Sequence, residues 1–144
     1  MTLKLKEISE LHAALLSLDG YDRIARGAEG QPDQIVHEPY QLGGKVRWNV
    51  AKNSGILKQL MDAYNVARND LVKELSKDGK SIPATDTDAL AKFTEEHQKI
   101  FEIDHEVSGL LKFNEADLNL DKNPIPPSVL VALMPLIVAT PPAP

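Results

Sequence analysis

The fold is decided by residues 45–75, which read KVRWNVAKNSGILKQLMDAYNVARNDLVKEL. Their seam positions alternate steps of four and three residues, and they are Val46, Val50, Asn53, Leu57, Leu60, Tyr64, Ala67 and Leu71. This heptad spacing predicts one amphipathic α-helix, roughly 45 Å long at 1.5 Å per residue. A helix of that length must pack against something along most of its extent.

Two residues of this helix depart from the pattern. Gly55 lies in its interior, where glycine costs about 1 kcal/mol relative to alanine and would let the backbone of a partner approach closely. Asn53 occupies a seam position where an apolar residue is expected. It is either a buried amide that sets the register or a sign that the seam frays near the helix start. We favour fraying.

A second long helix follows after a short connection. Residues 77–80 (KDGK) end the first helix, and Asp86, Thr87 and Asp88 are candidate N-caps for the next. The apolar face of the second helix contains Leu90, Phe93, His97 and Ile100, and the helix runs to about Asp104. Because the link is short and the seams match, an antiparallel hairpin of residues 45–75 and 87–104 is predicted.

Shorter elements flank the hairpin. An N-terminal helix is predicted from an apolar face that ends at Asp19-Gly20 and contains Leu5, Ile8, Leu11, Leu15 and Leu18. Residues 21–44 read as a loop with room for a short strand or two. Residues 106–113 alternate apolar and polar side chains, so a strand competes with helix there, and such a strand would pair with the 35–42 region in a small two-stranded sheet. A short C-terminal helix, opened by proline and ended by Pro135, completes a mainly α fold.

Composition limits the classes of function. The chain has 144 residues, a net charge of −5 and no cysteine, which excludes disulfides, thiolate catalysis and cysteine-type zinc sites. No dense Lys/Arg stripe is present, so nucleic-acid binding is disfavoured. The first residues lack the apolar core of a signal peptide, and no apolar run reaches the roughly 20 residues of a membrane span. We expect a cytoplasmic protein with one domain over residues 1–138 and a proline-rich tail over 139–144.

Catalytic patterns are missing from the sequence. The one pair with metal-ligand spacing is Glu102 with His105, but a di-iron site of the ferritin type requires a second such pair and further glutamates. We therefore interpret this pair as solvated surface. His97 lies on an apolar helix face, where a lone histidine is more often a partly buried packing residue than a base or ligand. We predict no catalytic residue, no metal site and no cofactor, and hence a protein that is not an enzyme.

One apolar segment near the C-terminus is a candidate docking surface. It is too short to cross a bilayer, and its candidate partner-binding residues are Val129, Leu130, Leu133, Met134, Leu136 and Ile137. The alternative, which we favour, is that this segment packs into the groove of the hairpin.

Two stretches carry a resemblance to a known group. Residues 45–53 (KVRWNVAKN), continued by Leu57, Tyr64 and residues 67–71, and the later 118–120 and 123–130 with Leu133 and 136–137, resemble small bacteriophage and prophage proteins of unassigned function. The resemblance covers most of the chain and implies a phage origin and a helical fold, but no activity.

The resemblance and the helical surface together suggest a function. The leading hypothesis is a non-enzymatic phage protein acting by protein–protein interaction in the host bacterial cytoplasm or the virion, as a virion component or an assembly accessory factor. The alternatives are a phage-encoded inhibitor of a host defence protein and, without supporting residues, a metal-dependent enzyme. Self-association is a further prediction, because so long a helix exceeds what its neighbours can cover.

Overall fold

The structure is a computed structural model that describes residues 1–138. The predicted proline-rich tail, 139–144, lies outside the described residues. The chain divides into two compact units, one formed by Met1–Glu10 with Gly55–Gly109 and the other by Leu11–Ser54 with the chain from Leu110 onward. A single domain over residues 1–138 stays a prediction.

The helices confirm the predicted mainly α class. In chain order they are α1 (Leu5–Ser17), α2 (Gly44–Leu75), α3 (Thr87–Phe101) and α4 (Pro127–Leu133). The heptad pattern therefore predicted the bounds of the long helix α2 to within one residue. The predicted face of α1 is also confirmed, because Leu5, Ile8, Leu11, Leu15 and Leu18 are all buried.

The first unit contains α2 from Gly55 onward and α3, which form the predicted hairpin. Tyr64 of α2 contacts His97 and Phe101 of α3, so the second helix returns along the first. Asp86 is the N-cap of α3, and its side chain accepts a hydrogen bond from the Ala89 N–H. These contacts confirm the predicted hairpin.

The end of α3 and the strands of the first unit differ from the prediction. The helix ends at Phe101 rather than near residue 104, because the chain then enters strand β4 (Asp104–Glu106). This strand pairs antiparallel with β1 (Thr2–Lys4), and Leu3 faces His105 in the register. Lys4 and Glu102 form an ion pair at 2.5 Å beside the two strands.

The second unit holds two further two-stranded sheets. Strands β2 (Gly20–Ala25) and β3 (Gln34–Pro39) form an antiparallel hairpin, which confirms that the 21–44 region carries short strands. Strands β5 (Phe113–Asn114) and β6 (Ile137–Val138) pair in parallel. The predicted pairing of 106–113 with 35–42 is wrong, because β3 pairs with β2, β4 pairs with β1, and residues 107–112 form no strand.

Most of the core lies in the second unit. Its buried apolar residues are Leu11, Ala14, Leu15, Leu18, Tyr40, Val46, Phe113, Leu118, Ile125, Leu133 and Leu136. Three asparagines, Asn49, Asn53 and Asn123, are buried beside them. The first unit has far fewer, namely Leu3, Leu5, Ile8, Leu57 and Val107. The two units therefore differ in how much of their apolar surface they conceal.

Candidate functional site

Two buried asparagines on α2 hold a loop of the second unit. The Nδ2 of Asn53 donates to the Leu111 carbonyl at 2.8 Å, and its Oδ1 accepts from the Leu111 N–H at 2.7 Å. One turn earlier, the Nδ2 of Asn49 donates to the Lys112 carbonyl at 3.2 Å. Asn53 is 0% exposed, so our preference for a frayed seam was wrong. The side-chain amide of Asn53 therefore bonds both backbone groups of Leu111, as a neighbouring strand would.

Asn123 performs the same task for the segment that precedes α2. Its Oδ1 accepts from the Gln41 N–H at 2.7 Å, and its Nδ2 donates to the carbonyls of Gln41 at 3.1 Å and Leu118 at 2.7 Å. Because buried backbone polar groups are costly when unpaired, these bonds fix the path of the chain into α2. They thereby position the residues at the start of that helix.

An open apolar groove lies in the second unit, between the end of α1 and the start of α2. Its volume is about 480 Å³. The α1 side presents Leu15, Leu16, Leu18 and Asp19, and the other side presents Leu42, Arg47, Val50, Ala51 and Ser54. Leu16 is 57% exposed, so part of this apolar wall faces solvent. We call this feature the α1–α2 groove.

The charged side chains that line the α1–α2 groove are Arg47 on α2 and Asp19 after the end of α1. Lys45 and Lys52 of α2 lie on the other side of that helix, because 3.6 residues make one turn. The Nε and one Nη of Arg47 donate to the carbonyls of Leu42 and Tyr40 at 3.2 and 2.8 Å. Among residues 1–138 no carboxylate lies within ion-pair distance of this guanidinium. Its remaining N–H groups can therefore receive an external anion.

The acidic residue of the groove is already paired. His37 of β3 contacts the Asp19 carboxylate through Nε2 and the Asp22 carboxylate through Nδ1, each at 3.0 Å. The hydrogen bond to Asp22 raises the pKa of His37 above its ordinary value, and the charge of Asp19 acts in the same direction. His37 is thus shared between two carboxylates, of which Asp19 lines the groove.

A second surface is the hairpin arm, which we define as residues 58–101. Of the described residues, none from 58 to 101 is buried, although the seams of both helices are apolar. Two helices alone can cover only the sides of their seams that face each other. Val66 on the outside of the arm is 60% exposed. The arm therefore presents partly covered apolar side chains to solvent.

Aromatic rings of α2 and α3 contact one another within the arm. His97 contacts the rings of Phe93, Phe101 and Tyr64, and its Nε2 lies 2.6 Å from the Tyr64 hydroxyl. Burial lowers the pKa of His97 below its ordinary value, and the charge of Arg68 contributes in the same direction. The interpretation of His97 as a partly buried packing residue is confirmed.

The candidate partner-binding residues are divided between core and surface. Leu133 and Leu136 are both 0% exposed, so neither is accessible to a partner in this structure. Met134 is 63% exposed, whereas Val129, Leu130 and Ile137 are half-buried. That this segment binds a partner stays a prediction. The candidate partner-binding residues that remain accessible are Val129, Leu130, Met134 and Ile137.

The Glu102 and His105 pair is not brought together with further ligands. Glu102 is engaged by Lys4 and by the Gln98 side chain, and His105 lies on β4. Within residues 1–138, no group of three or more His, Asp or Glu side chains is arranged to hold a metal ion.

Comparisons with known proteins do not add to these observations. No protein-family model, curated protein or solved structure matches the chain. None of the helices in residues 1–138 is both long enough and apolar enough to span a membrane.

Sequence reasoning did not find the α1–α2 groove. The available signal was the helical spacing of Arg47, Val50, Ala51 and Ser54. That signal is weak, because it does not show that Arg47 faces apolar residues of α1. The groove depends on a contact between segments about thirty residues apart in the chain.

Proposed function

We propose that this chain is a non-enzymatic, phage-encoded protein that acts by protein–protein interaction, as a virion component or an assembly accessory factor. The observation that supports this proposal best is the hairpin arm, whose two apolar seams contain no buried residue. Burying apolar area contributes about 25 cal/mol per Å², so covering these seams would favour association with another protein. The phage origin rests on the resemblance already described, which is carried chiefly by residues 45–53, 67–71, 118–120 and 123–130.

The composition of purified virions tests the role directly. If the protein is a virion component, mass spectrometry of gradient-purified particles will detect it at a constant ratio to the major structural proteins. Its absence from particles, together with normal particle yield after gene deletion, would contradict both forms of the proposal. Its absence together with a loss of particles would support the accessory form.

Site-specific crosslinking tests whether the arm is the surface used. A photoreactive residue at Ala67, an exposed position of the α2 seam, will form an adduct with a phage protein during infection. The matched control is Ile24 of β2, which is 70% exposed and lies outside the arm. A third position, Met134, tests the predicted C-terminal docking segment. Equal adducts at all three positions would show that crosslinking reports exposure and not binding.

The same experiment distinguishes a virion or assembly role from the alternative role of an inhibitor. A stoichiometric adduct with one host protein, and none with phage proteins, would favour a phage-encoded inhibitor of host defence. The partner is identified in each case by mass spectrometry of the adduct.

A further inference from the structure

We propose that His37 is a pH-sensitive switch, which holds the carboxylate of Asp19 when its imidazole ring is protonated and releases Asp19 when the ring is neutral. The contact joins the turn after α1 to the β2–β3 hairpin, within the second unit. Asp19 also lines the α1–α2 groove, so the switch determines whether a carboxylate at that groove is paired. The proposal does not depend on the proposed function.

Both ring nitrogens of His37 face a carboxylate. Nδ1 lies 3.0 Å from Oδ1 of Asp22, and Nε2 lies 3.0 Å from Oδ2 of Asp19. An ionised carboxylate accepts hydrogen bonds and cannot donate them, so each contact requires an N–H on the ring. The imidazolium carries two N–H groups, whereas the neutral imidazole carries one. The arrangement is therefore that of the protonated ring, and loss of the proton must break one contact.

The contact to Asp19 is the one that we expect to break. Asp22 is the cross-strand partner of His37 in the register of β2 and β3, so strand pairing keeps these two side chains adjacent. Asp19 lies before β2, and its side chain is 80% exposed, so it can turn into solvent. The neutral ring should then keep its proton on Nδ1 and direct the lone pair of Nε2 toward Asp19.

The chain around His37 leaves space for these two contacts. A Cβ added at Gly20 would lie 2.7 Å from Nε2, so the absence of a side chain at residue 20 gives the ring its position. The nearby ion pair of Arg23 with Glu38 lies on the opposite face of the two strands, because successive residues alternate between faces.

The direction of the switch follows from the two carboxylates. The hydrogen bond to Asp22 raises the pKa of His37 above its ordinary value, and the charge of Asp19 acts in the same direction. The ring is therefore protonated below its ordinary value of about 6.5 and loses its proton only as the pH rises through the raised pKa. Asp19 is held at the lower pH and released at the higher one.

NMR of the full chain labelled with ¹³C and ¹⁵N tests the proposal. Because exposed ion pairs contribute little to stability, the contact itself is measured and not the free energy of unfolding. Above the titration midpoint of His37, the ring nitrogen shifts should show the proton on Nδ1. The carboxyl carbon of Asp19 should shift with that same midpoint. Asp33 is the matched control, since its carboxylate accepts a hydrogen bond from the Gly27 N–H, and its carboxyl carbon should show no shift there.

Two substitutions test the contacts separately. Asp22→Asn should transfer the remaining proton of the neutral ring to Nε2, so that Asp19 stays bonded and its shift at the His37 midpoint becomes smaller. Asp19→Asn supplies an N–H donor to the unprotonated Nε2. In that variant the neutral ring should still carry its proton on Nδ1, and the pKa of His37 should move toward its ordinary value.

Three results would overturn the proposal. The first is a neutral His37 that is protonated on Nε2 in the original chain. The second is an Asp19 carboxyl carbon that does not shift with His37. The third is an equal shift of Asp19 and Asp33 at that midpoint, which would show a general effect of pH. None of these results changes the expected virion composition, so the proposed function is tested separately.

Discussion

The side chain of Asn53 and the backbone of Leu111 form a reciprocal pair of hydrogen bonds, at 2.8 and 2.7 Å. One amide thus satisfies both the N–H and the carbonyl of a residue 58 positions later in the chain. The pair explains why an asparagine occupies an otherwise apolar seam: its bonding capacity is used, so burial carries no unpaired polar group.

Removing this amide should destabilise the protein. Asn53→Ala leaves the two backbone groups of Leu111 without partners, and we expect a loss of about 2–4 kcal/mol in the free energy of unfolding. Asn49→Ala is the matched control, since it removes one longer bond to the exposed Lys112 and should cost about 0.5–1.5 kcal/mol. Urea unfolding followed by circular dichroism measures both. Equal losses of stability in the two variants would show that the pair of bonds to Leu111 stabilises the protein no more than the single bond to Lys112.

A substitution by aspartate should affect stability differently at two neighbouring seam positions of α2. Leu57 is 0% exposed, so Leu57→Asp places an unpaired charge in the core and should prevent folding. Leu60, one turn later, is half-buried and lies in the hairpin arm. Leu60→Asp should therefore leave a folded chain that is about 1–3 kcal/mol less stable. Circular dichroism and thermal unfolding distinguish the two outcomes, and a folded Leu57→Asp protein would show that the seam faces solvent.

Gly55 offers a substitution that should stabilise the chain. A Cβ added at this position would meet no atom within 4 Å, and the residue lies inside a continuous helix. Gly55→Ala should raise the free energy of unfolding by about 0.5–1 kcal/mol, because alanine is the better helix former. Destabilisation would contradict this account. If Gly55 admits a partner backbone, as the sequence suggested, the same variant will be more stable but will lose crosslinking to that partner.

The two histidines with shifted pKa values should titrate in opposite directions. The pKa of His37 is raised, chiefly by its hydrogen bond to Asp22, and the pKa of His97 is lowered, chiefly by burial. NMR titration of the histidine ring protons should place His37 above, and His97 below, the ordinary value of about 6.5. Asp22→Asn should move His37 back toward that value without moving His97. Coincident titration of the two rings would contradict the contacts described.

These shifts imply opposite effects of pH on stability. For His37, the stabilising contribution is present below about pH 6.5 and is lost as the pH rises through its raised pKa. For His97, the unfolded chain binds more protons, so the contribution is present above about pH 6.5 and declines as the pH falls below it. His97→Gln should accordingly reduce the loss of stability between pH 7 and pH 5, and His37→Gln should not. Unfolding curves across this pH range provide the comparison.

The parts of the fold that sequence predicted are those with local periodicity. The bounds of α2 and the buried face of α1 follow from spacings of three and four residues, which any helix must satisfy. The cap at Asp86 is also local, since it involves the next three residues. Strand pairing is not local: β1 and β4 are separated by about a hundred residues, and nothing in either short segment specifies the other.

The alternation in residues 106–113 was misread for a physical reason. Val107 and Phe113 are buried, as in a strand, but the backbone at Leu111 and Lys112 is bonded by side chains of α2. Apolar alternation reports which side chains are buried and does not identify the group that binds the backbone. The α1–α2 groove was missed for a related reason. The guanidinium of Arg47 is held by the carbonyls of Tyr40 and Leu42 and lies beside the end of α1, and the sequence does not show these contacts.

The asparagine bonds have a consequence for how this chain can diverge. The hydrogen bonds of Asn53 and Asn123 go only to main-chain atoms of Leu111, Gln41 and Leu118, so these bonds do not depend on the side chains at those positions. We expect distant relatives to retain both amides while the residues at positions 41 and 111 vary and position 118, which is 0% exposed, stays apolar. A search pattern built on the two asparagines and the apolar spacing of α2 would then detect relatives whose overall sequence identity is too low to show the relationship.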